Sequence, residues 1–354
     1  MGDRRVLQLL GPSTGGIRRV VAALGDGLAA TGWDVTTAGP ARVLEGLAPL
    51  DVVVEIPNGL SPTGLVRARR QLEPLARTVD LVHAHGLKPG WLAASLRPRP
   101  KLVVSVHNLV LDEVAGPSAR VLRTLEGRLP SVVDRVIALS DGVAARFDGA
   151  DGVVTIPPAA EPPQPERTAT EVRAAYGVAP DERLLVTAAR LNPQKDLPML
   201  LDAVDRVRRH VDGVRLLILG EGREEAALRA RAGAHVIFGG RVASAADELA
   251  AADLVVISSR WESGPLVLFE AMQLGRPVVT TAVGAAPSVV EDGVTGRIVP
   301  VGDTAAFADA LVDLLRDPQR AATIGAAAQV SVTERFGPAA MVERTATVYE
   351  EVLA

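Results

Sequence analysis

The chain has 354 residues, no cysteine, 48% apolar and 23% charged residues, and a formal net charge of −4. That length exceeds one ordinary core and fits two domains, and the missing cysteines exclude disulfides, thiolate catalysis and zinc–sulfur sites. The mild negative charge gives no global case for nucleic acid, so any basic binding surface has to be local.

The first apolar run, VLQLL (6–10), follows MGDRR and is broken by Gly-Pro. It reads as a buried strand rather than a signal peptide. Directly after it comes GPSTGGIRRVVAALGDGLAATGWDV (11–35), where Gly15 and Gly16 sit at a strand-to-helix turn. Such glycines let backbone N–H groups and a helix N-terminus approach an anion; a tight turn with close packing is the equal alternative. The spacing is not G-x-G-x-x-G, and no acidic residue closes the second strand as a dinucleotide site requires.

Further strands are expected at DVTTA (34–38), DVVVEI (51–56), LVHAH (81–85), LVVSVH (102–107), RVIALS (135–140) and VVTIP (153–157). Their alternation with helix-like segments predicts a parallel sheet covered by helices on both faces. His83 and His85 alternate along one strand and read as satisfied structural histidines, whereas His107 fits a site and a structural role equally. No metal-ligand spacing such as H-E-x-x-H occurs, so no metal site is expected.

The proline-rich stretch PPAAEPPQPERTAT (157–170) lacks apolar periodicity and reads as a linker. The alternation then restarts with RLLVTAA (183–189), VRLLILG (214–220), HVIFGG (235–240), LVVISS (254–259), PVVTT (277–281) and GRIVP (296–300). Helical segments at 303–316 and 318–331 follow, and an amphipathic one at 338–354 offers Met341, Val342, Val348 and Val352 to one face. The predicted fold class is α/β, two Rossmann-like doubly wound domains facing a cleft. Its boundaries are 1–160, a linker at 161–170, 171–336, and a C-terminal helix at 337–354 returning toward the first domain. Ligands of such domains bind beyond the carboxyl ends of the strands.

Two segments of the second domain carry charge there. In AARLNPQKDLPMLLDAV (188–204), Arg190 and Lys195 flank a turn, and Lys195 is expected to open a helix. A cation at that end opposes the helix dipole unless an anion is bound; two solvated surface charges are the alternative. In RWESGPLVLFEAMQLG (260–275), Pro265 suits the first helical position and Gly275 the stop. Glu262 then lies in the loop after a strand and Glu270 two turns into an apolar helix, where an unpartnered carboxylate is costly.

Taken together, these segments resemble glycosyltransferase family 4, nucleotide-sugar-dependent retaining enzymes of the GT-B fold. The resemblance covers nearly the whole chain. It runs through the Gly15-Gly16 turn, DLVHAH, SVH, ALSDGVAARF, the R-x(4)-K pair Arg190 and Lys195, the LGEG turn (219–222), the E-x(7)-E pair Glu262 and Glu270, and segment 251–303. It implies that Arg190 and Lys195 neutralise the donor pyrophosphate and that Gly15 and Gly16 close on the distal phosphate. Glu270 would accept from the ribose, and Glu262 from donor-sugar hydroxyls beside the backbone N–H groups of Gly264, Leu266 and Val267. His107 would contact the donor sugar. The base would lie against FGGRV (238–242), through Arg241 and the backbone of Val242.

The reaction implied moves a hexose or N-acetylhexosamine from a UDP or GDP sugar to a hydroxyl of a glycan, a lipid-linked or a small-molecule acceptor. The acceptor would attack from the leaving-group face and pass its proton to the departing phosphate oxygen. No cofactor and no metal are implied, in keeping with the absence of D-x-D. A sugar-nucleotide epimerase or hydrolase, and a nucleotide-sugar-binding protein without catalysis, are the competing readings. The chain departs from the family where E-x-F-G is replaced by Glu262-Ser263-Gly264-Pro265, and where I-P-N-G-V-D is replaced by Ile156-Pro157-Pro158-Ala159-Ala160-Glu161. The cytoplasm is the expected compartment. Arginine-bearing helices at 65–78 and 119–129 allow peripheral contact with anionic lipid at the inner membrane face; solvated helix faces are the plainer reading.

Overall fold

Runs of Val, Leu and Ile with few polar breaks form strands buried on both faces, as all-parallel sheets require. A computed structural model describes residues 4–12, 16–41, 51–57, 61–107, 119–147 and 149–354. Two compact units are present: Met1–Glu161 with Gly337–Ala354, and Pro162–Phe336.

Among the described residues the first unit carries β1 (Arg4–Leu10), β2 (Trp33–Gly39), β3 (Val52–Val53), β4 (Leu81–His85), β5 (Lys101–Val106), β6 (Arg135–Ala138) and β7 (Val153–Thr155). All pairings are parallel, in the order β3-β2-β1-β4-β5-β6-β7. The strand expected over 51–56 is shorter than its apolar run. Its neighbour β2 ends at Gly39, whose carbonyl takes the Val54 N–H at 2.9 Å, so no ladder continues beyond that point.

The C-terminal helix Pro338–Leu353 belongs to this unit and packs on the helix Gly16–Ala30. Met341, Val342, Val348 and Val352 are buried, as their periodicity predicts, and Thr345 and Tyr349 join them. Close helix approach is set by Gly27, where an added Cβ would stand 2.4 Å from Val342. Arg4 bonds Glu350 at 2.5 Å, and Trp33 meets the Tyr349 ring edge-on at 5.2 Å.

The second unit carries β8 (Arg183–Ala188), β9 (Val214–Leu219), β10 (Val236–Gly240), β11 (Leu254–Ile257), β12 (Val278–Thr281) and β13 (Arg297–Val299). Its order is β10-β9-β8-β11-β12-β13, the 3-2-1-4-5-6 sequence of a doubly wound sheet. One apolar cluster, including Leu185, Leu216, Val256 and Phe307, covers one face, and a second, including Val186, Leu217, Val255 and Phe269, covers the other. The helices Thr304–Arg316 and Pro318–Arg335 complete it, the latter running past 331 because Val332 is still buried.

The arginine-bearing segments are helices Pro62–Ala76 and Ala119–Gly127, with Val66 and Val121 exposed. Among the described residues no helix is long and apolar enough to cross a membrane.

Candidate functional site

In a doubly wound sheet the strand order reverses once, and the segments leaving the strands there diverge and open a crevice. In the second unit that point lies between β8 and β11. The segment after β8 contains Arg190 to Lys195, and the one after β11 contains Ser258 to Glu262.

These two segments are stitched together. The Arg260 N–H donates to the Gln194 carbonyl at 2.8 Å, Ser258 Oγ donates to the Lys195 carbonyl at 2.7 Å, and Gln194 Nε2 donates to the Trp261 carbonyl at 3.1 Å. Lys195 Nζ bonds Glu262 Oε1, an oxygen that also accepts from Ser259 Oγ at 2.7 Å; Gln194 Nε2 approaches Oε2 at 3.4 Å. A carboxylate offers about four acceptor positions. Three are taken by the protein, and the last lies on Oε2.

Lys195 does not open a helix. It ends a 3₁₀ turn, Pro193–Lys195, and the helix proper is Leu197–Val207. Between them Asp196 adopts a left-handed conformation, φ 46°, while Arg260 Nε donates to its carboxylate at 3.0 Å. That kink turns the Lys195 carbonyl toward Ser258 and away from the helix. The conflict between Lys195 and the helix dipole is thus met by Glu262 within the protein. Arg190 differs: its side chain is exposed and makes no hydrogen bond or ion pair among the described residues, and only its carbonyl is engaged, accepting the Asn192 N–H at 2.9 Å. The amide oxygen of Asn192, between the two cations, is buried and accepts no hydrogen bond among the described residues.

The helix carrying Glu270 is Leu266–Gln273, so Pro265 stands just before it rather than at its first position. Pro265 has φ −70° and ψ 112°, an extended setting, and its carbonyl accepts the Leu268 N–H at 3.0 Å. No side chain caps this end, and the backbone N–H groups of Leu266 and Val267 precede the first intrahelical bond. Gly264 is half-buried beside them. Glu270 is buried among Leu268, Phe269, Ala271 and Met272, and Gly275 ends the helix with φ 65°. Arg241 is exposed and lies 3.4 Å from Glu221, in the segment following β10; Val242 is half-buried beside it.

Two glycines that sequence reasoning did not single out hold this arrangement. A Cβ on Gly222 would stand 2.3 Å from the Leu191 carbonyl oxygen, and one on Gly284 would stand 2.6 Å from that of Glu262. Both are backbone-against-backbone approaches that only glycine permits. Gly222 falls in the LGEG turn, the one sequence signal pointing to it; Gln194, Asp196 and Ser259 carry no such signal.

In the first unit Gly15 lies outside the described residues, and Gly16 is the first residue of the helix Gly16–Ala30. The reversal between β1 and β4 is lined by polar side chains on otherwise apolar strands. Register sets Gln8 beside His83 and His85 beside Ser105, on one face of the sheet. His83 Nδ1 lies 2.6 Å from the Tyr349 hydroxyl and Nε2 lies 2.8 Å from Ser105 Oγ. His85 Nε2 lies 2.6 Å from Gln8 Oε1 and Nδ1 lies 3.0 Å from His107 Nε2. Gln8 Nε2 in turn donates to Tyr349 at 3.0 Å.

His83 and His85 are thus satisfied structurally, as their strand positions predict, and His107 is tied to them. Burial drives the His83 pKa down to about 3, with help from His107. Burial, then the charges of His83 and His107, pushes His85 well below its ordinary value. Burial lowers His107 to about 4. All three rings are neutral at pH 7. Among the described residues no three acidic or imidazole side chains are grouped to hold a metal ion.

Residues 14–162 match the family model Glycosyltransferase Family 4, and residues 182–317 match Glycosyl transferases group 1. The chain is 33% identical over 193 residues to the N-acetyl-alpha-D-glucosaminyl L-malate synthase of Bacillus anthracis, covering 53% of this chain and 50% of that protein. The chain thus spans about half the length of that relative. It is 31% identical over 310 residues to a GDP-mannose-dependent alpha-(1-6)-phosphatidylinositol monomannoside mannosyltransferase of Mycobacterium tuberculosis, covering 78% of this chain and 76% of that one. Among solved structures, Anabaena Alr3699/HepE in complex with UDP and glucose superposes with a TM-score of 0.82. It covers 98% of this chain and 100% of that one at 23% identity, a likeness of fold.

Proposed function

The chain belongs to the family 4 glycosyltransferases of the GT-B fold, and from that membership we propose that it is a retaining transferase using a nucleoside-diphosphate sugar. The donor carries a hexose or N-acetylhexosamine on UDP or GDP. The observation that carries this reading is that the segments after β8 and β11 are joined by the Lys195–Glu262 pair, that the first of them carries an exposed Arg190 whose side chain has no partner among the described residues, and that the second leads into a helix N-terminus that no side chain caps.

Arg190 and Lys195 meet the diphosphate, and the N–H groups of Gly264, Leu266 and Val267 add the positive end of the helix dipole. These groups lie where negative charge grows as the bond from the sugar C1 to the phosphate oxygen breaks, which favours the transition state. The remaining acceptor position of Glu262 takes a sugar hydroxyl, Glu270 takes the ribose, and Arg241 with the Val242 backbone meets the base. The family resemblance assigns Gly15 and Gly16 to the distal phosphate and His107 to the sugar. The acceptor hydroxyl forms the new bond to C1 and its proton passes to the departing phosphate oxygen. The acceptor is a glycan, a lipid-linked or a small-molecule hydroxyl, and for a lipid-linked one the arginine-bearing helices rest on anionic lipid.

A thermal-shift screen of UDP-, GDP- and dTDP-sugars tests this. One donor at a hundredfold excess over its Kd is expected to stabilise the chain by about 2.7 kcal/mol. Arg190→Ala is expected to leave the unliganded melting temperature unchanged and to abolish most of that shift. Equal shifts in both proteins would remove Arg190 from the site. Release of free sugar or interconversion of donors without any acceptor would favour the hydrolase or epimerase, and binding without turnover a non-catalytic binder.

A further inference from the structure

The second unit has a cavity at the end of its sheet opposite the strand ends that lead to Arg190 and Glu262. Its volume is ≈ 390 Å³, within the range of small-molecule sites. It lies at the amino ends of β8, β11 and β12, where Arg183, Leu254 and Pro277 line it, and against Leu314, Leu315 and Ala321 of the helices Thr304–Arg316 and Pro318–Arg335. The six residues of β8 put about 16 Å between Arg183 and the far end of that strand, from which the Arg190 segment leaves.

Side chains alternate between the two faces of a strand. Leu185 and Leu254 belong to the apolar cluster that includes Leu314, Leu315 and Ala321, so Arg183, two positions before Leu185, stands on that same face. Its backbone N–H donates to the Gly213 carbonyl at 2.8 Å, but its side chain makes no hydrogen bond or ion pair among the described residues. Arg276 is the second cation. Its Nε reaches the Leu274 carbonyl at 3.3 Å and its Nη1 the Ala252 carbonyl at 3.4 Å, two long bonds to residues that line the cavity, and Nη2 is unused. The lining has one acidic residue, Asp253, and alternation sets it on the opposite face with Val255. There its Oδ2 accepts from Arg173 Nη2 at 2.8 Å and from the Leu184 N–H at 2.6 Å. Asp317 caps the second helix by accepting the Arg320 N–H at 3.0 Å and does not line the cavity. Two guanidiniums thus border this space without a carboxylate partner.

We propose that this cavity binds a small phosphomonoester, with its dianionic phosphate between Arg183 and Arg276 and its organic body against Leu314, Leu315 and Ala321. A guanidinium presents planar pairs of N–H donors that match the oxygens of a phosphate or carboxylate. β11 separates β8 from β12, so the two arginine backbones stand about 10 Å apart, within the joint reach of both side chains. A monocarboxylate carries one charge and leaves the second cation without a partner. A dicarboxylate brings its second charge against the leucines, where an unpaired charge is costly to bury. A phosphomonoester keeps both charges on one group and its body neutral. Ala322 and Ala326 line the cavity and are exposed, so their small side chains leave its mouth open. This ligand is distinct from the nucleoside-diphosphate sugar, and both fit at once because they take opposite ends of the strands.

Isothermal titration of the full chain with phenyl phosphate tests this, with inorganic phosphate and succinate as comparisons. One saturable site is expected, tighter for phenyl phosphate than for inorganic phosphate because the ring adds apolar contact, and tighter than for succinate. Arg183→Leu should weaken phenyl phosphate about tenfold through loss of charge-assisted bonds. Ala326→Phe, at an exposed helix position that keeps every charge, should weaken it as well by filling the cavity. Arg190→Ala removes a cation of the proposed donor site and should bind phenyl phosphate as wild type does. No saturable binding in wild type overturns the proposal, as does unchanged affinity in both Arg183→Leu and Ala326→Phe. A loss confined to Arg190→Ala also overturns it, by placing the phosphate in the donor site, and succinate bound as tightly as phenyl phosphate overturns the phosphomonoester assignment. Phenyl phosphate bound as described while no nucleotide sugar binds upholds this site and counts against the donor reading alone.

Discussion

In the first unit His83, His85 and His107 lie in a chain of uncharged partners, whereas in the second Lys195 and Glu262, and Arg260 and Asp196, meet as ions. The same sheet plan underlies both, and the difference follows from depth. His83 and His85 sit within strands covered by helices, where a charge has no solvent and each proton is expelled. The ion pairs sit in loops beyond the strand ends, where Arg260 remains 60% exposed and partial solvation tolerates charge.

Acid separates the two regions most strongly. His83 and His107 stay neutral in the folded chain down to about pH 3 and 4, whereas unfolding restores the ordinary value of 6.5. Their folded pKa values are depressed, so the unfolded chain binds more protons at any pH between those values and 6.5. Stability is then intact above about pH 7 and falls on acidification, by about 4 kcal/mol from pH 7 to pH 5 for the two together. Urea denaturation at the two pH values measures it; His85, also held well below its ordinary value by burial, adds to the fall, and His83→Gln should reduce it. An unchanged fall in that variant would break the comparison.

Loss of one ion partner is the corresponding perturbation of the second unit. Glu262→Ala leaves the Lys195 ammonium, 15% exposed, without its carboxylate, and should destabilise the chain by about 3 kcal/mol. Glu262→Gln should lose less, since an amide oxygen still accepts from Ser259. Adding Lys195→Met to Glu262→Ala should recover part of the loss, as chemical denaturation of the single and double variants would reveal; strict additivity would mean that the pair is not coupled.

Packing gives the smallest contrast. A Cβ on Gly27 meets the Val342 side chain, which can shift, whereas one on Gly325 would stand 2.2 Å from the Gly275 carbonyl oxygen, which is backbone. Gly27→Ala should cost about 1 kcal/mol and Gly325→Ala about 2 to 3 kcal/mol, as overpacking does in general. Equal melting temperatures for the two would show that the Gly275 segment yields as readily as a side chain.

Much of this was legible in the linear chain. The runs at 6–10, 81–85, 183–189 and 254–259 form strands because an uninterrupted apolar run suits a sheet covered on both faces, whatever its neighbours. Arg190 and the apolar setting of Glu270 stood out because each conflicts with its local surroundings. Lys195 shows where such reading fails: its conflict with a helix dipole was inferred from spacing alone, and the left-handed Asp196 moves the helix start beyond it. Pro265 fails in the same way by one residue.

The sequence by itself determined the strand and helix alternation, the family and the charged residues available at the strand ends, since these depend on local pattern and composition. Tertiary structure alone decided what those residues hold. His83 and Tyr349 are 266 positions apart and Lys195 and Glu262 are 67 apart. A hydrogen bond acts over about 3 Å and has no periodicity along the chain, so partners separated this widely become visible only when folding brings them within reach.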